Sequence, residues 1–170
     1  MAALVLLLVL AGLVLLWLAR RLRVRSGLPD GWLVATDTGA GRPLNRPLFA
    51  RRYSLTGRPD YIVADGADRI PVEVKSARAP AHPYPAHVLQ VAAYCLLIAE
   101  TFQRRPPYGI LRYADRTFRI PYTRELEKQL LSVLEAMRAD LTNGDAPRRH
   151  QDPRRCAVCG YREMCDEALS

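Results

Sequence analysis

The sequence predicts an α/β or α+β domain that follows one apolar N-terminal helix. Two observations support this fold class. An uncharged apolar run occupies residues 2–19, and the rest of the chain alternates between strand-like and helix-like hydrophobic patterns. The order after the apolar run is β-β-β-α-β-β-α, which predicts a core of about 110 residues.

The apolar run predicts a transmembrane anchor at residues 1–22. Its 18 residues form roughly 27 Å of helix, close to the hydrocarbon thickness of about 30 Å. Trp17 lies near one end, where an indole favours the lipid–water interface. Four arginines follow at once: Arg20, Arg21, Arg23 and Arg25. This charge asymmetry predicts a single pass through the cell membrane with the following domain in the cytoplasm.

A cleaved signal peptide is the alternative interpretation of this segment. Signal peptides carry their positive charge before the apolar run and a small-residue cleavage site after it. Here the positive charge follows the run and no Ala-x-Ala site is present. The four arginines supply half of the net charge of +8, so the remainder is only mildly basic. That charge suits a polyanionic partner without requiring one.

The elements follow from local patterns. Gly, Pro, Asp and Asn predict a juxtamembrane linker at 23–47 with a short strand at 32–36. Three strands are expected at 48–55, 60–64 and 69–76, and a hairpin at 108–113 and 117–121. Helices are expected at 85–102, with Pro85 in its first turn, and at 123–141, ended by Asn143-Gly144. The core is therefore assigned to 48–145 and a cysteine-containing tail to 146–170.

Two carboxylates meet on the second and third strands. If Gly66-Ala67 or residues 65–68 form the turn, Asp60 lies directly across from Glu73. If Asp65-Gly66 is the turn, the two carboxylates are diagonal neighbours on one face. A three-residue loop would separate them.

Facing carboxylates repel, and a hard divalent cation such as Mg²⁺ is a natural counter-charge. Lys75 shares their face, where it could hold an attacking water or stabilise a developing phosphorane. An ordinary solvated hairpin edge is the alternative. On the following helix, Gln90 and Tyr94 are spaced i, i+4, beside an apolar stripe that includes Cys95. They could reach the carboxylates, or they could be polar residues at a helix border.

The chain resembles the PD-(D/E)XK nucleases of the RecB type. The residues that carry the likeness are Gly57-Arg58-Pro59-Asp60, Glu73-Val74-Lys75 and Gln90-x3-Tyr94, in that order. The likeness covers about residues 48–170 and is greatest to the CRISPR-associated RecB-like exonucleases, the fourth Cas family. It implies a restriction-endonuclease-like core, with a mixed central sheet flanked by helices.

The resemblance also implies cleavage of DNA phosphodiesters with Mg²⁺ or Mn²⁺. Asp60, Glu73 and the Val74 carbonyl are then the metal ligands, and Lys75 is the catalytic lysine. Gln90 and Tyr94 are then expected to position the lysine and the substrate. Phosphate contacts are expected at Arg58, Arg148 and Arg149, which could equally be solvated surface.

The tail resembles the same family in its cysteine triplet, Cys156-x2-Cys159-x5-Cys165. In a cytoplasmic domain such a cluster favours an iron–sulfur cluster or zinc over disulfides. Reduced, unliganded cysteines are the alternative. The family's upstream fourth cysteine and upstream histidine ligand are absent from this sequence. His150 and Asp152 are candidate fourth ligands, although a three-ligand cluster or a vestigial site is also consistent with the sequence.

The sequence therefore predicts a membrane-anchored DNA nuclease, acting as an exonuclease, with protein partners in CRISPR adaptation or DNA repair. The alternative is a catalytically reduced nuclease-fold module that binds nucleic acid or a partner protein at the membrane. A third hypothesis is a zinc-stapled structural adaptor.

Overall fold

The computed structural model of the protein describes residues 2–26, 33–36, 46–144 and 147–170. The chain forms two compact units, Met1–Leu130 and Leu131–Ser170. The boundary lies inside a helix, so the second unit begins before the predicted tail at 146–170.

The helices and strands follow one another in an α-β-β-β-β-β-α-β-β-α-α order. They are α1 (Ala2–Ser26), β1 (Leu33–Thr36), β2 (Leu48–Ala50), β3 (Leu55–Gly57), β4 (Tyr61–Asp65), β5 (Asp68–Val74), α2 (Pro85–Phe102), β6 (Tyr108–Arg112), β7 (Thr117–Pro121), α3 (Arg124–Asn143) and α4 (Pro153–Ala157). Short 3₁₀ turns occupy Arg51–Tyr53 and Arg162–Met164.

The central sheet of the first unit has five strands in the order β1-β4-β5-β6-β7. β5 and β6 are parallel and the other pairs are antiparallel, so the sheet is mixed, as predicted. Two parallel neighbours need a long connection, and α2 supplies it between β5 and β6. β5 is therefore the middle strand and is supported on both edges.

The register of β4 and β5 is the one that brings the two carboxylates together. Gly66 takes the left-handed backbone conformation, with φ of 59°, in the turn between the strands. Tyr61 pairs with Val72, and Asp65 pairs with Asp68. Extending this register by one residue places Asp60 across from Glu73, which confirms the first of the predicted turns.

The strand predicted at 48–55 is wrong. The segment folds into β2, the 3₁₀ turn Arg51–Tyr53 and β3, and these strands pair only with each other as a two-stranded hairpin. Ser54 takes a φ of 43°, a conformation that reverses the chain where a continuous strand was expected. The hairpin packs Leu48 and Ala50 against α2.

β1 lies within the range predicted as a linker, 23–47, and it pairs with β4 at the edge of the central sheet. The sheet thus begins before residue 48. The short strand predicted at 32–36 inside this linker is thus confirmed, at Leu33–Thr36.

α2 is the core helix of the first unit. It is long and apolar enough to cross a membrane, the one such helix in the described part of the chain. Six of its residues are nevertheless buried: Val91, Ala92, Cys95, Leu96, Leu97 and Ile98. It approaches β6 so closely that a Cβ placed on Gly109 would lie 2.3 Å from the Val91 Cγ1 atom. A glycine is therefore required at this helix–sheet contact.

α1 differs from α2 in its burial. It continues to Ser26, beyond the anchor predicted at 1–22, and its described side chains include a shorter apolar stretch, Val5–Leu18. Every large apolar side chain in this stretch is exposed, from 41 % at Leu18 to 67 % at Leu7. The anchor therefore remains a prediction.

Candidate active site and cysteine-lined cavity

Glu73, Lys75 and Gln90 form one hydrogen-bonded cluster where β5 meets α2. Lys75 Nζ donates to Glu73 Oε1 at 2.7 Å and to Gln90 Oε1 at 2.9 Å. Gln90 Nε2 donates to the same Glu73 oxygen at 2.9 Å. Each of the three side chains is thus held by the other two, and an ammonium group is held beside a buried carboxylate.

Asp60 lies beside this cluster, just before β4. Its Oδ2 atom accepts a hydrogen bond from the Val74 amide at 2.7 Å, which orients the carboxylate towards the end of β5. The β4–β5 register places Asp60 across from Glu73, as predicted, and the Asp60 charge raises the pKa of the Glu73 carboxyl. The Val74 residue that binds Asp60 is also the one whose carbonyl was predicted as a ligand.

Burial dominates the electrostatics of Glu73. Glu73 is 6 % exposed, and it is the one charged residue in the described part of the chain that is classed as buried. Desolvation raises the pKa of its carboxyl, Asp60 raises that pKa further, and the Lys75 ammonium lowers it. A divalent cation bound between Asp60 and Glu73 would stabilise both carboxylates in their ionised form.

Tyr94 extends the cluster along α2. Gln90 Nε2 donates to the Tyr94 hydroxyl at 3.1 Å, one helical turn away, as the i, i+4 spacing predicts. Burial is the main cause that raises the pKa of Tyr94, which keeps its hydroxyl protonated. A Cβ on Gly57 would lie 3.1 Å from the Tyr94 ring, so this glycine makes room for the tyrosine.

His87 and Tyr113 form a second pair near Lys75, to which the sequence had suggested no role. His87 Nδ1 lies 2.7 Å from the hydroxyl of Tyr113, which is buried just after β6. Burial and then the Lys75 charge lower the pKa of His87, so its neutral form is favoured. His87 stands one turn before Gln90, but only the parallel β5–β6 register brings Tyr113 to it. Sequence spacing contains no signal for that register.

The available oxygen donors at this site suit a hard divalent cation. Asp60, Glu73 and the Val74 carbonyl are the ligand types that Mg²⁺ and Mn²⁺ prefer. Lys75 and Gln90 both bond to Oε1 of Glu73. Within the described ranges, no three His, Cys, Asp or Glu side chains form a group that could hold a metal ion. Water and phosphate oxygens would have to complete the coordination.

The three predicted phosphate contacts have different surroundings. Arg58 is exposed, two residues before Asp60. Arg149 bonds to both carboxylate oxygens of Asp140, at 2.9 and 3.2 Å. Arg148 donates to the Glu167 backbone carbonyl and to Gln151. The last two arginines thus already bind groups within the second unit, and their role towards nucleic acid stays a prediction.

The three tail cysteines border one cavity of about 530 Å³ in the second unit. Cys156 is buried on α4, Cys159 follows in a turn, and Cys165 ends the last 3₁₀ turn. All three are free thiols, and His150 also lines the cavity. Cys95 is a core residue instead: it is 1 % exposed on α2, and burial strongly raises the pKa of its thiol.

The sequence is similar to curated nucleases. The CRISPR-associated exonuclease Cas4 of Francisella tularensis subsp. novicida (strain U112) is 26 % identical over 129 residues, which cover 74 % of this chain and 63 % of the relative. The CRISPR-associated exonuclease Cas4/endonuclease Cas1 fusion of Myxococcus xanthus (strain DK1622) is 27 % identical over 132 residues, covering 74 % and 23 %. The chain thus spans less than two thirds of either relative.

A solved structure, the crystal structure of SSO0001, aligns with 68 % of this chain and 52 % of its own at 23 % identity, with a TM-score of 0.49. The model of the PD-(D/E)XK nuclease superfamily matches residues 6–166. With nearly the whole chain matched, and with Asp60, Glu73 and Lys75 gathered at one end of β5, this protein belongs to the PD-(D/E)XK nuclease superfamily and is similar to its RecB-like, Cas4-like members.

Proposed function

We propose that this protein is a membrane-anchored, metal-dependent deoxyribonuclease that acts as an exonuclease. The observation that carries the proposal is the Lys75 ammonium, held at 2.7 Å from Glu73 and 2.9 Å from Gln90 beside a second carboxylate. A structural ion pair needs neither Gln90 nor Asp60. A site that cleaves phosphodiesters needs a metal-binding carboxylate pair and a fixed cation, and these residues would supply both.

Each group has a distinct task in the proposed reaction. Asp60, Glu73 and the Val74 carbonyl would hold Mg²⁺ or Mn²⁺, which when bound supplies Lewis-acid polarisation of a phosphate oxygen. Lys75 has three N–H donors, and Glu73 and Gln90 accept two of them. The third is left for the attacking water or for the oxygen that gains charge. Gln90 and Tyr94 keep Lys75 in that position.

The test is metal-dependent degradation of end-labelled single- and double-stranded DNA by the full chain in detergent, purified without oxygen. We expect cleavage with Mn²⁺ or Mg²⁺, and a fall of about 10²–10³-fold in rate on Lys75→Ala. Glu73→Ala should lose metal binding together with activity. Lys128→Ala is the matched control, because Lys128 is the one other lysine and lies exposed on α3.

The rival function is a catalytically reduced module that binds nucleic acid or a partner protein. The missing upstream histidine favours this rival, because the three histidines all follow Glu73 in the sequence. A folded, metal-loaded chain that binds DNA without cutting it, in the presence of Mn²⁺, would establish the rival and refute the nuclease. The product ladder of an active chain would distinguish exonuclease from endonuclease cleavage and give its polarity.

We also propose a metal centre in the second unit, held by Cys156, Cys159 and Cys165. Soft thiolates suit an iron–sulfur cluster or Zn²⁺, and a cavity of about 530 Å³ has room for the cluster. Iron, sulfide and zinc analysis of the purified chain decides between the two. This centre would staple the tail and need not touch the reacting phosphate.

Membrane attachment and protein partners complete the proposal. The exposed apolar side chains between Val5 and Leu18 support an anchor in the cell membrane, and the arginines that follow favour a cytoplasmic catalytic domain. Relatives described as CRISPR-associated exonucleases suggest partners in CRISPR adaptation, and DNA repair is the other candidate context. Arg58, Arg148 and Arg149 remain the candidate DNA contacts.

A further inference from the structure

We propose that Tyr84 and His87 bind one nucleotide of single-stranded DNA beside Lys75. The Tyr84 ring stacks on the base, and the Nε2–H group of His87 donates to an oxygen of the phosphate next to the scissile bond. This inference deepens the proposed function and rests on DNA as the substrate, but it does not require that the chain cuts DNA.

His87 lies beside Lys75 because α2 is tied to the sheet at two neighbouring points. Lys75 Nζ donates to Gln90 at 2.9 Å, and the His87 ring contacts the Tyr113 hydroxyl at 2.7 Å. The Lys75 amide donates to the Arg112 carbonyl at 2.7 Å, so the parallel β5–β6 register places Tyr113 next to Lys75. His87 stands one turn before Gln90, about 4.5 Å along the helix axis. A DNA strand bound at Lys75 therefore passes within reach of His87.

The contact with Tyr113 decides which nitrogen of His87 carries the proton. Tyr113 is 2 % exposed, and a buried phenol needs an acceptor for its own proton. His87 Nδ1 is that acceptor, so the neutral ring carries its proton on Nε2. Burial and then the Lys75 charge lower the pKa of His87, which favours the neutral ring. A neutral N–H group can bind a phosphate oxygen without placing a second cation next to Lys75.

Tyr84 is an exposed aromatic side chain held beside His87. It is 56 % exposed, and its ring meets the His87 ring edge to face, with the centroids 5.4 Å apart. Pro83 and Pro85 flank it, and its ψ of 136° is the extended conformation that a following proline favours. The backbone thus holds this tyrosine in place. A base can stack on such a ring only when it is not paired and stacked within a duplex, so the site fits a single strand.

The charges around the two residues suit a phosphate. Residues 76–99 contain no Asp or Glu. Asp115 approaches this segment from the β6–β7 turn, but its carboxylate accepts a hydrogen bond from the Ala79 amide at 2.7 Å and lies 3.5 Å from Arg78. These contacts offset the charge of Asp115. The phosphate oxygen at His87 therefore has the Lys75 ammonium as its nearby cation and a fixed N–H group as its donor.

The test measures how the full chain in detergent binds three labelled probes in EDTA, where a metal-dependent nuclease cannot cut. The probes are an oligothymidylate, an abasic strand of equal length and a blunt duplex. Tyr84→Ala should weaken binding to the oligothymidylate about fivefold to hundredfold and leave the other two unchanged. Phe49→Ala is the matched control, because Phe49 is 55 % exposed on β2 and alternates with Leu48 and Ala50, which pack against α2. It should bind all three probes as wild type does.

Substitutions at His87 separate a phosphate contact from a structural tie to Tyr113. An asparagine amide reaches the position of Nδ1 and can keep the Tyr113 contact, whereas a glutamine amide reaches the position of Nε2. We expect His87→Asn to weaken binding about tenfold on both the base-bearing and the abasic strand, because the phosphate is common to both. His87→Gln should restore most of that loss. Circular dichroism checks that each variant is folded.

The nucleotide site and the nuclease fail in different ways. A chain that degrades DNA while Tyr84→Ala and His87→Asn bind like wild type keeps the nuclease and overturns the site. An equal loss on the abasic strand for Tyr84→Ala also overturns it, since no base is there to stack. A chain that never cuts with Mn²⁺ but shows the expected binding pattern keeps the site and refutes the nuclease. A folded chain that binds none of the probes overturns the site outright.

Discussion

Lysine is rare in this chain, and its two lysines have different surroundings. Lys128 is exposed on α3, whereas Lys75 is three-quarters buried and bonded to Glu73 and Gln90. The 23 arginines supply the remaining basic side chains of the chain. A compact ammonium can donate to a water or a single phosphate oxygen at a position where a planar guanidinium would need more room. The proposed phosphodiester cleavage at this site would therefore account for a lysine at this one partly buried position.

Gln90 is predicted to matter more than Tyr94 for the rate of cleavage. Gln90→Ala removes a hydrogen bond to charged Lys75 and another to charged Glu73, so we expect a fall of about tenfold to a hundredfold. Tyr94→Phe removes one hydrogen bond to a neutral amide, so we expect only about threefold to tenfold. Single-turnover cleavage of labelled DNA measures both changes.

Two controls make this comparison specific. Mn²⁺ affinity should be nearly unchanged in both variants, because Asp60, Glu73 and the Val74 carbonyl remain. Gln129→Ala, on the exposed face of α3, should leave the rate as it is. A Tyr94→Phe effect as large as that of Gln90→Ala would mean that the tyrosine contacts the substrate itself and does more than support Gln90.

At the scale of the elements, the contact between α2 and β6 depends on Gly109. An alanine Cβ there would lie 2.3 Å from Val91 Cγ1, 3.2 Å from Cys95 Sγ and 3.3 Å from Pro71 Cγ. We expect Gly109→Ala to lower the free energy of unfolding by about 1–3 kcal/mol, because the helix must move off the sheet. Urea denaturation followed by circular dichroism measures the change.

The double variant Gly109→Ala/Val91→Ala tests the stated cause. Trimming Val91 removes the nearest atom, so the two substitutions together should cost less than the sum of their separate effects. Gly160→Ala is the control for a glycine in open space, since nothing lies within 4 Å of its added Cβ. If the two changes in the free energy of unfolding are strictly additive, the new methyl group at position 109 does not clash with Val91.

Local patterns predicted the elements well where one signal was enough. The α2 boundaries agree with the prediction because Pro85 marks the start and a single apolar pattern continues to Phe102. Asp60 and Glu73 could be placed together because the Gly66 turn and the strand period define one register. The β2–β3 hairpin could not be predicted, because Ser54 gives no sign in the sequence of its left-handed conformation.

Contacts that depend on tertiary pairing were beyond the sequence. The contact between His87 and Tyr113 requires β6 to lie parallel to β5 in one particular register. The pairing of β1 with β4 likewise joins segments that local composition describes as linker and strand. The ion pair between Arg149 and Asp140 is one among many that the numerous charged residues of the chain allow. In each case the contact is stabilised by a segment elsewhere in the folded chain, which the local sequence does not reveal.

At the scale of the whole molecule, the apolar residues have two different uses. In α2 they are buried in the protein core, whereas in α1 the stretch from Val5 to Leu18 remains exposed. The superfamily match begins at residue 6, inside α1, so the helix could also belong to the folded nuclease domain. Exposed apolar surface of this extent requires a covering partner, and the arginines that follow it in the sequence favour a lipid bilayer as the proposed one.

Flotation with phosphatidylcholine–phosphatidylglycerol vesicles tests the anchor. We expect the full chain to float with the vesicles even at high salt, because salt screens the arginines but does not weaken apolar insertion. Leu8→Arg/Leu15→Arg keeps the chain length and places two charges within the apolar stretch, at roughly 2.5–3.5 kcal/mol each near its centre. This variant should float poorly at high salt while its DNA binding stays intact. A wild-type chain that stays monodisperse in vesicle-free buffer and never floats would place α1 in the nuclease fold and remove the membrane from the proposed function.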